Sequence, residues 1–501
     1  MCGIVALWGQ KDPETTRSIL QQLEHRGPDG HAIRTHDAGP GATLGHTRLA
    51  IIDPEGGQQP LVDDHNGTML VCNGMIYNDR VLRARLGGKP FRTFSDSECI
   101  LHGYAAWGTA VVDQLDGMFA FVLVDGQGQC FAARDPLGKK PLYWGRIGDA
   151  LAFSSEIAAL AATATDIEEF PAGCAWHSDH GLRRYFAVPG PSAGGRCEQR
   201  AAAAVRVTLE RAVAKRMRSD VPLGAFLSGG LDSSAIAAIA RRHVDELHTF
   251  AVGLPDSSDL RAARRVAEHI GSIHHEHVID PAEIGDILPG IVRHLESYDR
   301  DLVRSAMPTW FVSRLAAREV KVVLTGEGAD ELFAGYTYHG GYGDPHLLQD
   351  ELRRSLTAMH NVNLQRVDRM TMSHSLEARV PFLDPELVRL AMDIPATLKQ
   401  RPAAGGDGAK WILRKACEDL LPHEIVWRDK LQFDQGSGFS DYLADHARSA
   451  YAEGHVTAAS ADSAEERLYE QLLTSACPTR AAVVSDLTAH WRQGRTTRQA
   501  A

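Results

Sequence analysis

Short runs of alternating or continuous apolar residues recur through about the first 180 residues, and turns rich in Gly, Pro and Asp separate them. This pattern predicts a β-rich layer. The strands that we expect are Cys2–Trp8, Leu44–Ile52, Thr68–Cys72, Phe119–Val124, Cys130–Ala133 and Leu151–Phe153. Thr15–Leu23 and Asp96–Trp107 have helical spacing instead. Helices should therefore cover the sheets in an α+β sandwich.

The pattern changes after residue 187, where a stretch rich in Pro, Gly and Ser has no periodicity. We expect one domain over residues 1–187, a linker over 188–199 and a second domain over 200–501. In the second domain strands alternate with helices, which predicts a doubly wound parallel sheet with helical additions. The expected order is helix Ala201–Met217, strand Gly224–Leu227, helix Ser233–Arg242, strand Leu247–Val252, helix Leu260–Ile270, strand His275–Val278, helices Ile284–Leu295 and Pro308–Arg318, and strand Val320–Leu324.

The remainder is predicted to be helical, with an amphipathic stretch at Glu465–Leu473 and a tail that frays after about Gln493. In the strand around His275, the run His274-His275-Glu276-His277 has the residue types of a metal site. Strand geometry puts His275 and His277 on one face and His274 on the other. No fourth ligand is evident, so we expect a plain strand there.

Charge and composition narrow the classes of partner. The chain has 53 Lys plus Arg against 64 Asp plus Glu, a net charge of −11, which argues against nucleic acid. Its start lacks the features of a signal peptide, and no apolar run is long enough to span a membrane. The eight cysteines are scattered and do not form a zinc or disulfide pattern. We expect a cytoplasmic protein that acts on small molecules, with no membrane partner, and consider a homodimer as its assembly.

Two loops at strand ends carry candidate chemistry. Ser228-Gly-Gly-Leu-Asp-Ser-Ser234 lies between an apolar strand and a helix, so its glycines, hydroxyls and free N–H groups suit a pyrophosphate. A helix-capping Gly/Ser turn is the alternative interpretation. Thr325-Gly-Glu-Gly-Ala-Asp-Glu331 follows another apolar strand, and its acids suit Mg²⁺. The alternative there is a solvated acidic helix start.

The first loop resembles the PP-loop of ATP pyrophosphatases, and with Ser375–Asp384 and Trp427–Lys430 the second half is similar to the asparagine synthetase family. The resemblance implies that Glu327 accepts a proton from ammonia, that Glu331 lies near the acid substrate, and that Lys430 stabilises charge on the α-phosphate. It assigns a metal to Asp232 and Asp330. The residues that it implies for ATP are Leu227, Ser228, Gly229, Gly230, Asp232, Ser233, Ser234, Val252, Thr325 and Gly326.

Cys2 follows the initiator Met. Removal of that Met would leave one residue with both a thiol nucleophile and an amine base. The motifs around it resemble the N-terminal-nucleophile, class II glutamine amidotransferase domain. These motifs are His25–Gly30, Gly45–Asp53, Cys72–Gly74, Ser95–Glu98 and Ala133–Gly138. Together the two halves resemble a glutamine-hydrolysing asparagine synthetase over nearly the whole chain.

This resemblance implies roles for the first half as well. Cys2 would attack the side-chain amide of glutamine, while Asn73 and Gly74 would stabilise the oxyanion. Arg48 would clamp the α-carboxylate and Asp96 the α-ammonium of glutamine, with Ile52 and Met75 also in contact. Ammonia would then travel through a sealed, uncharged passage to the second site, where ATP and Mg²⁺ activate an acid as its acyl-adenylate. No organic prosthetic group is implied.

The sequence departs from the family pattern at two places. Met75 replaces the usual glutamate of Asn-Gly-Glu-Ile-Tyr-Asn, which removes a carboxylate expected beside the glutamine ammonium and should weaken glutamine binding. Asp301 and Leu302 replace two threonines, just before the Arg304 expected to hold the acid substrate. An added carboxylate there would repel a dianionic substrate and tolerate one that carries less negative charge.

Aspartate is the expected acid by resemblance. The alternatives are a specialised carboxylic acid or another nitrogen nucleophile, a β-lactam-forming relative, and a non-catalytic glutamine or nucleotide sensor. The intact set Cys2, Arg48, Asn73 and Asp96 argues against the β-lactam-forming relative, which needs no ammonia. The complete loops of the second half argue against the sensor.

Overall fold

The computed structural model describes residues 2–190, 197–401, 408–429, 439–452 and 461–476. Its first half contains two six-stranded antiparallel sheets, ordered β10-β8-β9-β1-β3-β2 and β12-β11-β7-β6-β5-β4. The strands are β1 Cys2–Trp8, β2 His31–His36, β3 Ala42–Arg48, β4 Leu61–Val62, β5 Met69–Ile76, β6 Gly117–Val124, β7 Cys130–Arg134, β8 Tyr143–Ile147, β9 Ala150–Ser154, β10 Thr165–Glu169, β11 Cys174–His177 and β12 Gly181–Arg184.

Side-chain alternation along β1 explains how the sheets stack. Ile4 points into a core between the two sheets, whereas Val5 packs on the other face against helix α1 (Pro13–Gln21). Helices α2 (Asp79–Arg85) and α3 (Glu98–Trp107) cover the outer face of the second sheet. A short helix, α4 (Ile157–Leu160), follows β9. The predicted α+β sandwich is therefore confirmed.

The second half is built on a five-stranded sheet, ordered β15-β14-β13-β16-β17, in which every strand pair is parallel. Its strands are β13 Leu223–Phe226, β14 His248–Gly253, β15 Ile273–Val278, β16 Val322–Leu324 and β17 Glu377–Arg379. The chain winds outward from β13 to β15 and then returns to place β16 on the other side of β13. Ligands bind at such a switch point in open parallel sheets. The predicted doubly wound sheet is confirmed.

Helices surround this sheet and extend beyond it. Those in the described residues are α5 Glu198–Arg216, α6 Leu231–Arg241, α7 Ser258–Ile270, α8 Ala282–Leu295, α9 Arg300–Ala316, α10 Ala329–Phe333, α11 Pro345–Thr357, α12 Asn363–Met372, α13 Pro385–Asp393, α14 Ala396–Lys399, α15 Trp411–Cys417, α16 His423–Val426, α17 Phe439–Ala452 and α18 Ala461–Ala476. None of them combines the length and the hydropathy that a bilayer crossing requires.

Several predicted boundaries were wrong by two or more residues, and two of these errors have a clear structural reason. The strand expected to run to Ile52 ends at Arg48, because residues 49–52 leave the sheet to line a cavity. The helix expected to begin at Pro308 begins at Arg300, where the Asp299 carboxylate accepts a hydrogen bond from the Leu302 N–H at 2.9 Å. Pro308 therefore lies inside α9.

Other boundaries are only partly covered by the described residues. The amphipathic stretch Glu465–Leu473 lies inside α18. Residues 191–196 of the predicted linker and the tail after Gln493 lie outside the described residues, so the division into domains at 187 and 200 stays a prediction.

The two halves meet through a group of buried charges that we call the ionic network. It consists of Arg26, Lys140, Glu156, Glu296, Asp368 and Arg369. Arg26 contacts Glu156 at 2.7 Å within the first half and Asp368 at 2.9 Å in the second. Arg369 contacts Glu156 at 2.8 Å across the same boundary. Burial alone would raise the pKa of Glu156, but its cationic neighbours hold it well below the ordinary value.

Candidate active sites

Cys2 lies at the start of β1, next to Arg48 on β3, and is almost fully buried. Its backbone N–H donates to the Asn73 side-chain oxygen at 3.1 Å. Its carbonyl accepts a hydrogen bond from Arg26 Nε at 3.1 Å. The first strand of the sandwich therefore fixes the residue from both sides and presents the thiol to a small cavity of about 30 Å³.

The environment of Cys2 favours the thiolate. Burial alone would raise the pKa of its thiol, but His46 and the positive charge at the amino terminus outweigh that effect and lower it to about 6. A thiol with such a pKa is mostly ionised at neutral pH and is a competent nucleophile. His46 belongs to a motif noted in the sequence, but its influence on the thiol was not foreseen.

The cavity around Cys2 contains donors and charges that suit an amino acid. Asn73 contacts Cys2 but does not itself line the cavity, and its buried Nδ2 has no hydrogen-bond partner among the residues that the structure describes. Two backbone carbonyls, those of Pro54 at 2.7 Å and Asp53 at 2.5 Å, hold the Arg48 guanidinium, and no carboxylate of the described residues pairs with it. Burial raises the pKa of Asp96 to about 6. All predicted glutamine-binding residues line this cavity, namely Arg48, Ile52, Met75 and Asp96, as does Gly74.

An apolar cluster, which we call the apolar bridge, connects this cavity with the second half. Its members are Leu49, Ile51, Ile52, Met75, Met118, Val322 and Met372. Met75 is buried among them, and Val322 begins β16, the strand that leads to the acidic loop. Beside this cluster, the buried carboxylate of Glu377 lines the small cavity and pairs with Arg379 at 2.6 Å. Met75, in place of the glutamate expected from the sequence, therefore extends an apolar contact between the halves.

A larger cavity, of about 370 Å³, opens at the carboxyl ends of β13, β14 and β16. The loop after β13 forms one wall, where the Ser228 and Ser233 hydroxyls are 2.9 Å apart. Gly229 has a φ of +73°, and a Cβ there would lie 2.5 Å from the Ala263 nitrogen, so only glycine fits. Thr325, on the opposite wall, has a buried hydroxyl with no partner in the described part of the chain. Such hydroxyls and N–H groups suit a phosphate chain.

Two carboxylates of this cavity converge on one lysine. The Lys410 ammonium contacts Asp232 directly and Asp330 at 2.6 Å. Lys410 has a left-handed backbone, with φ +56°, directly before α15. Gly335 makes the contact possible, because a Cβ there would lie 2.0 Å from the Asp330 carboxylate. Strained backbone of this kind is concentrated at functional sites.

The acidic end of the cavity contains Glu327 and Glu331. Glu331 is buried and accepts hydrogen bonds from the Tyr336 hydroxyl at 2.5 Å and from Asn363 Nδ2 at 2.7 Å. Burial and the neighbouring Asp330 raise the pKa of Glu331 to about 7. Glu327 pairs with Arg366 at 2.5 Å. An acid of raised pKa beside a buried arginine gives this end of the cavity a mixed charge.

Comparison with known proteins shows two family models that match the two halves of this chain. Residues 1–185 match the model of a glutamine amidotransferase domain, and residues 204–343 and 341–497 match the model of asparagine synthase. The chain belongs to the asparagine synthase family. It is 39% identical over 486 residues to asparagine synthetase [glutamine-hydrolyzing] 2 of Oryza sativa subsp. japonica, covering 92% of this chain and 82% of the relative.

Other relatives agree. Asparagine synthetase [glutamine-hydrolyzing] 3 of Arabidopsis thaliana is 39% identical, covering 90% of this chain and 82% of its own. The enzyme of Triphysaria versicolor is also 39% identical, with coverage of 91% and 81%. The predicted family is confirmed, and the chain is an enzyme of the asparagine synthase type.

In this member of the asparagine synthase family, most of the site residues predicted for the second half lie around the larger cavity. Residues lining the larger cavity include Leu227, Ser228, Gly230, Asp232, Ser233, Val252, Asp301, Thr325, Gly326, Glu327, Asp330 and Glu331. Gly229 and Ser234 belong to the same loop, although neither lines the cavity. Lys430 lies outside the described residues; the residues before it, Arg428 and Asp429, line the cavity.

Arg304 is placed differently from the expectation. Its guanidinium binds Glu465 of α18, with Nε at 3.1 Å and Nη2 at 2.5 Å from the carboxylate, and it does not line the larger cavity. The cavity arginine on α12 is Arg366 instead. Arg366, Lys410, Tyr336 and Asn363 were missed because none of them belongs to a noted motif, although Tyr336 comes only five residues after Glu331. Only the basic run that contains Lys410, Arg414 and Lys415 offered a signal.

Proposed function

We propose that this protein is a glutamine-dependent amide ligase that converts aspartate to asparagine at the expense of ATP. Glutamine is hydrolysed in the small cavity, and the acid is activated and amidated in the larger one. The observation that carries the proposal is the apolar bridge, because it borders the buried thiol site and reaches β16, the strand whose carboxyl end leads into the acidic, hydroxyl-lined cavity.

In the small cavity the Cys2 thiolate attacks the carbonyl carbon of the glutamine side chain. The oxyanion that forms is stabilised by Asn73 Nδ2 and the Gly74 N–H. Arg48 binds the α-carboxylate and Asp96 the α-ammonium. Support comes from the low pKa of the thiol and from a guanidinium held only by backbone carbonyls in the described residues. The tetrahedral adduct collapses to a thioester as protonation of its nitrogen lets ammonia leave, and water then hydrolyses the thioester to glutamate and the free thiol.

In the larger cavity the loop after β13 binds the phosphates of ATP, with hydroxyls and N–H groups at the start of α6. Asp232 and Asp330 fit Mg²⁺, because their two carboxylates already converge on one cation. When bound, Mg²⁺ supplies positive charge to the pyrophosphate leaving group. Lys410 adds a second cation at the same place. The proposed role of Lys430 is to stabilise the α-phosphate.

Ammonia reaches the activated acid along the apolar bridge. A charged or hydrated path would protonate ammonia and abolish its nucleophilicity, so an uncharged wall serves the transfer. Met75 belongs to that wall and also borders the glutamine site. At the acyl-adenylate, Glu327 accepts the proton that the attacking ammonia loses, and AMP departs as the amide forms.

A second candidate substrate is an acid less negative than aspartate. Asp301 lines the larger cavity, while Arg304 is neutralised by Glu465. The cavity therefore has one more carboxylate and one fewer guanidinium than the sequence resemblance implies, and its Arg366 pairs with Glu327. The similarity to asparagine synthetases supports asparagine synthesis. The changed charge of the larger cavity favours a specialised carboxylic acid instead.

The decisive experiment is mass spectrometry of the products formed from ATP, glutamine labelled with ¹⁵N in its side chain, and a panel of acids. Labelled asparagine together with AMP and pyrophosphate supports the proposal. Exchange of pyrophosphate into ATP is measured with each acid as well. If another acid stimulates this exchange and aspartate does not, that acid and not aspartate is the substrate. A cytoplasmic location and a homodimeric assembly complete the proposal, and fractionation and light scattering would check them.

A further inference from the structure

Two histidines and a glutamate meet at the edge of the parallel sheet, outside both cavities. His248 begins β14, and its Nδ1 lies 2.9 Å from Nε2 of His275 on the edge strand β15. Glu319, just after α9, brings a carboxylate oxygen close enough that the three donor atoms all lie within 4.8 Å of one another. The histidines are partly buried and the glutamate is exposed.

The fold, not the local sequence, brings these three together. The run from His274 to His277 predicts a strand, and alternation separates its histidines: His275 stacks on Phe250, whereas His274 bonds Thr249 and Glu276 on the opposite face. In the parallel register Phe250 is opposite His275, so His248 is a diagonal neighbour on the same face. The missing ligands are therefore supplied by a second strand and by the turn after a helix.

We propose that His248, His275 and Glu319 bind one Zn²⁺ ion, with water completing the coordination. Two imidazole nitrogens and a carboxylate oxygen are the donors that zinc prefers. At Zn–N distances of about 2.0–2.1 Å a tetrahedral ion separates two nitrogens by roughly 3.3 Å, so the histidines need to part by only a few tenths of an ångström. The exposed Glu319 side chain is free to swing toward the ion.

Nitrogen-to-nitrogen contact also favours a cation over the metal-free state. Two neutral imidazoles that face each other form one hydrogen bond, and protonation of both would set two like charges side by side. A divalent ion satisfies both nitrogens and the carboxylate at once.

The ion would fasten the sheet edge to the carboxyl end of α9. That helix carries Asp301 and Ser305 into the larger cavity from its other end. The part of β14 that lines the cavity begins at Phe250, beyond His248. The site is therefore structural, and it contributes stability without contacting substrate.

Zinc content of the full-length protein tests this proposal. After treatment with a chelator and re-addition of zinc, the wild type should retain one equivalent more than His275→Gln when measured by mass spectrometry of the metal. His274→Gln is the matched control, because it removes the neighbouring histidine from the opposite face, and it should retain as much zinc as the wild type. Synthesis of the amide should be the same in all three proteins.

Two further measurements locate the ion and distinguish loss of the zinc site from misfolding of a variant. Crystals of the wild type with zinc should give an anomalous peak within coordination distance of His248, His275 and Glu319. Glu319→Gln, which changes only an exposed side chain, should lower the affinity for zinc and reduce the rise in Tm that zinc causes. Equal zinc in the wild type and His275→Gln, or an anomalous peak only elsewhere, would overturn the proposal.

Discussion

The small cavity and the larger cavity of this enzyme are built in different ways. Around Cys2, the functional groups stand on β1 and β3 of one sheet, on β5 of the other and on the segment just before α3. The larger cavity combines two loops at the switch point of a parallel sheet with residues from helices far along the chain, among them Asn363 and Lys410. One site is compact and tightly filled, while the other is wide and strongly charged.

This difference has a chemical reason. A thiol that attacks an amide needs a few groups fixed at short range, and three strands of the sandwich with the segment just before α3 provide them. Activation of an acid by ATP needs space for three phosphates, a nucleoside and the acid, together with enough cations to balance their charge. A wide site is therefore assembled from many segments, and residues far apart along the chain supply its cations.

Loss of the Cys2 thiol should have the largest effect, and it should affect the activity of the small cavity alone. We expect Cys2→Ser to lower glutamine-driven amide synthesis by at least about 10³-fold, because the activated nucleophile is gone. Synthesis driven by ammonia should continue at the wild-type rate, since the larger cavity does not contain Cys2. Steady-state assays with each nitrogen source check this. Equal losses with both sources would contradict the division between the cavities.

Removal of the cation between the two carboxylates should affect the larger cavity alone. Lys410→Met leaves Asp232 and Asp330 uncompensated, so we expect pyrophosphate exchange into ATP to fall by about 10²- to 10³-fold. Glutaminase activity should persist and would show that the protein is folded. The matched control is Lys415→Met, which removes an outward lysine paired with Glu418 at 2.8 Å. A similar loss in both variants would refute a specific role for Lys410.

A carboxylate restored beside Asp96 should strengthen glutamine binding in the small cavity. We expect Met75→Glu to lower the KM for glutamine by roughly 5- to 150-fold, the range for one charged hydrogen bond. Ammonia-driven synthesis should not change. Met75→Gln, similar in size but neutral, separates the effect of charge from that of shape. An unchanged or higher KM for glutamine in Met75→Glu would contradict this role of position 75.

The smallest expected effect concerns the ionisation of Cys2. In the wild type the rate of alkylation by iodoacetamide should rise through pH about 6, because the thiolate is the reactive form. His46→Gln removes a neighbour that lowers the pKa of the thiol, so the midpoint should move upward by about one pH unit or more. At neutral pH this lowers the thiolate fraction by roughly half or more. A midpoint that stays near 6 would assign the low pKa to the amino terminus instead.

The sequence was sufficient for the parts of the fold that repeat locally. Cys2–Trp8 was predicted to the residue because its alternation faces two cores at once. Continuation of a strand to Ile52 was wrong, since an apolar run that lines a cavity has the same pattern as one that joins a sheet. Pro308 misled for a similar reason, because proline usually marks a helix start and here lies within a helix.

The candidate sites show the same limit. Residues within motifs were found, including the Ser228–Ser234 loop and Asp330, because their spacing reflects a local turn. Lys410, Tyr336 and Arg366 were missed, and the use of Arg304 was misjudged, because pairing with Glu465 depends on the docking of α18. The pairs Lys410–Asp232 and Arg304–Glu465 are 178 and 161 residues apart, and contacts at such separations leave no periodic trace in the sequence.

The ionic network described for the boundary between the halves has a consequence for how such enzymes diversify. Arg26 satisfies Glu156 and Asp368 together, and Arg369 reaches back to Glu156. Transplanting either half alone into a chimera would strand several buried charges without their counterions. Recombination between relatives therefore has to carry both faces of this boundary, so the two activities are inherited as a unit.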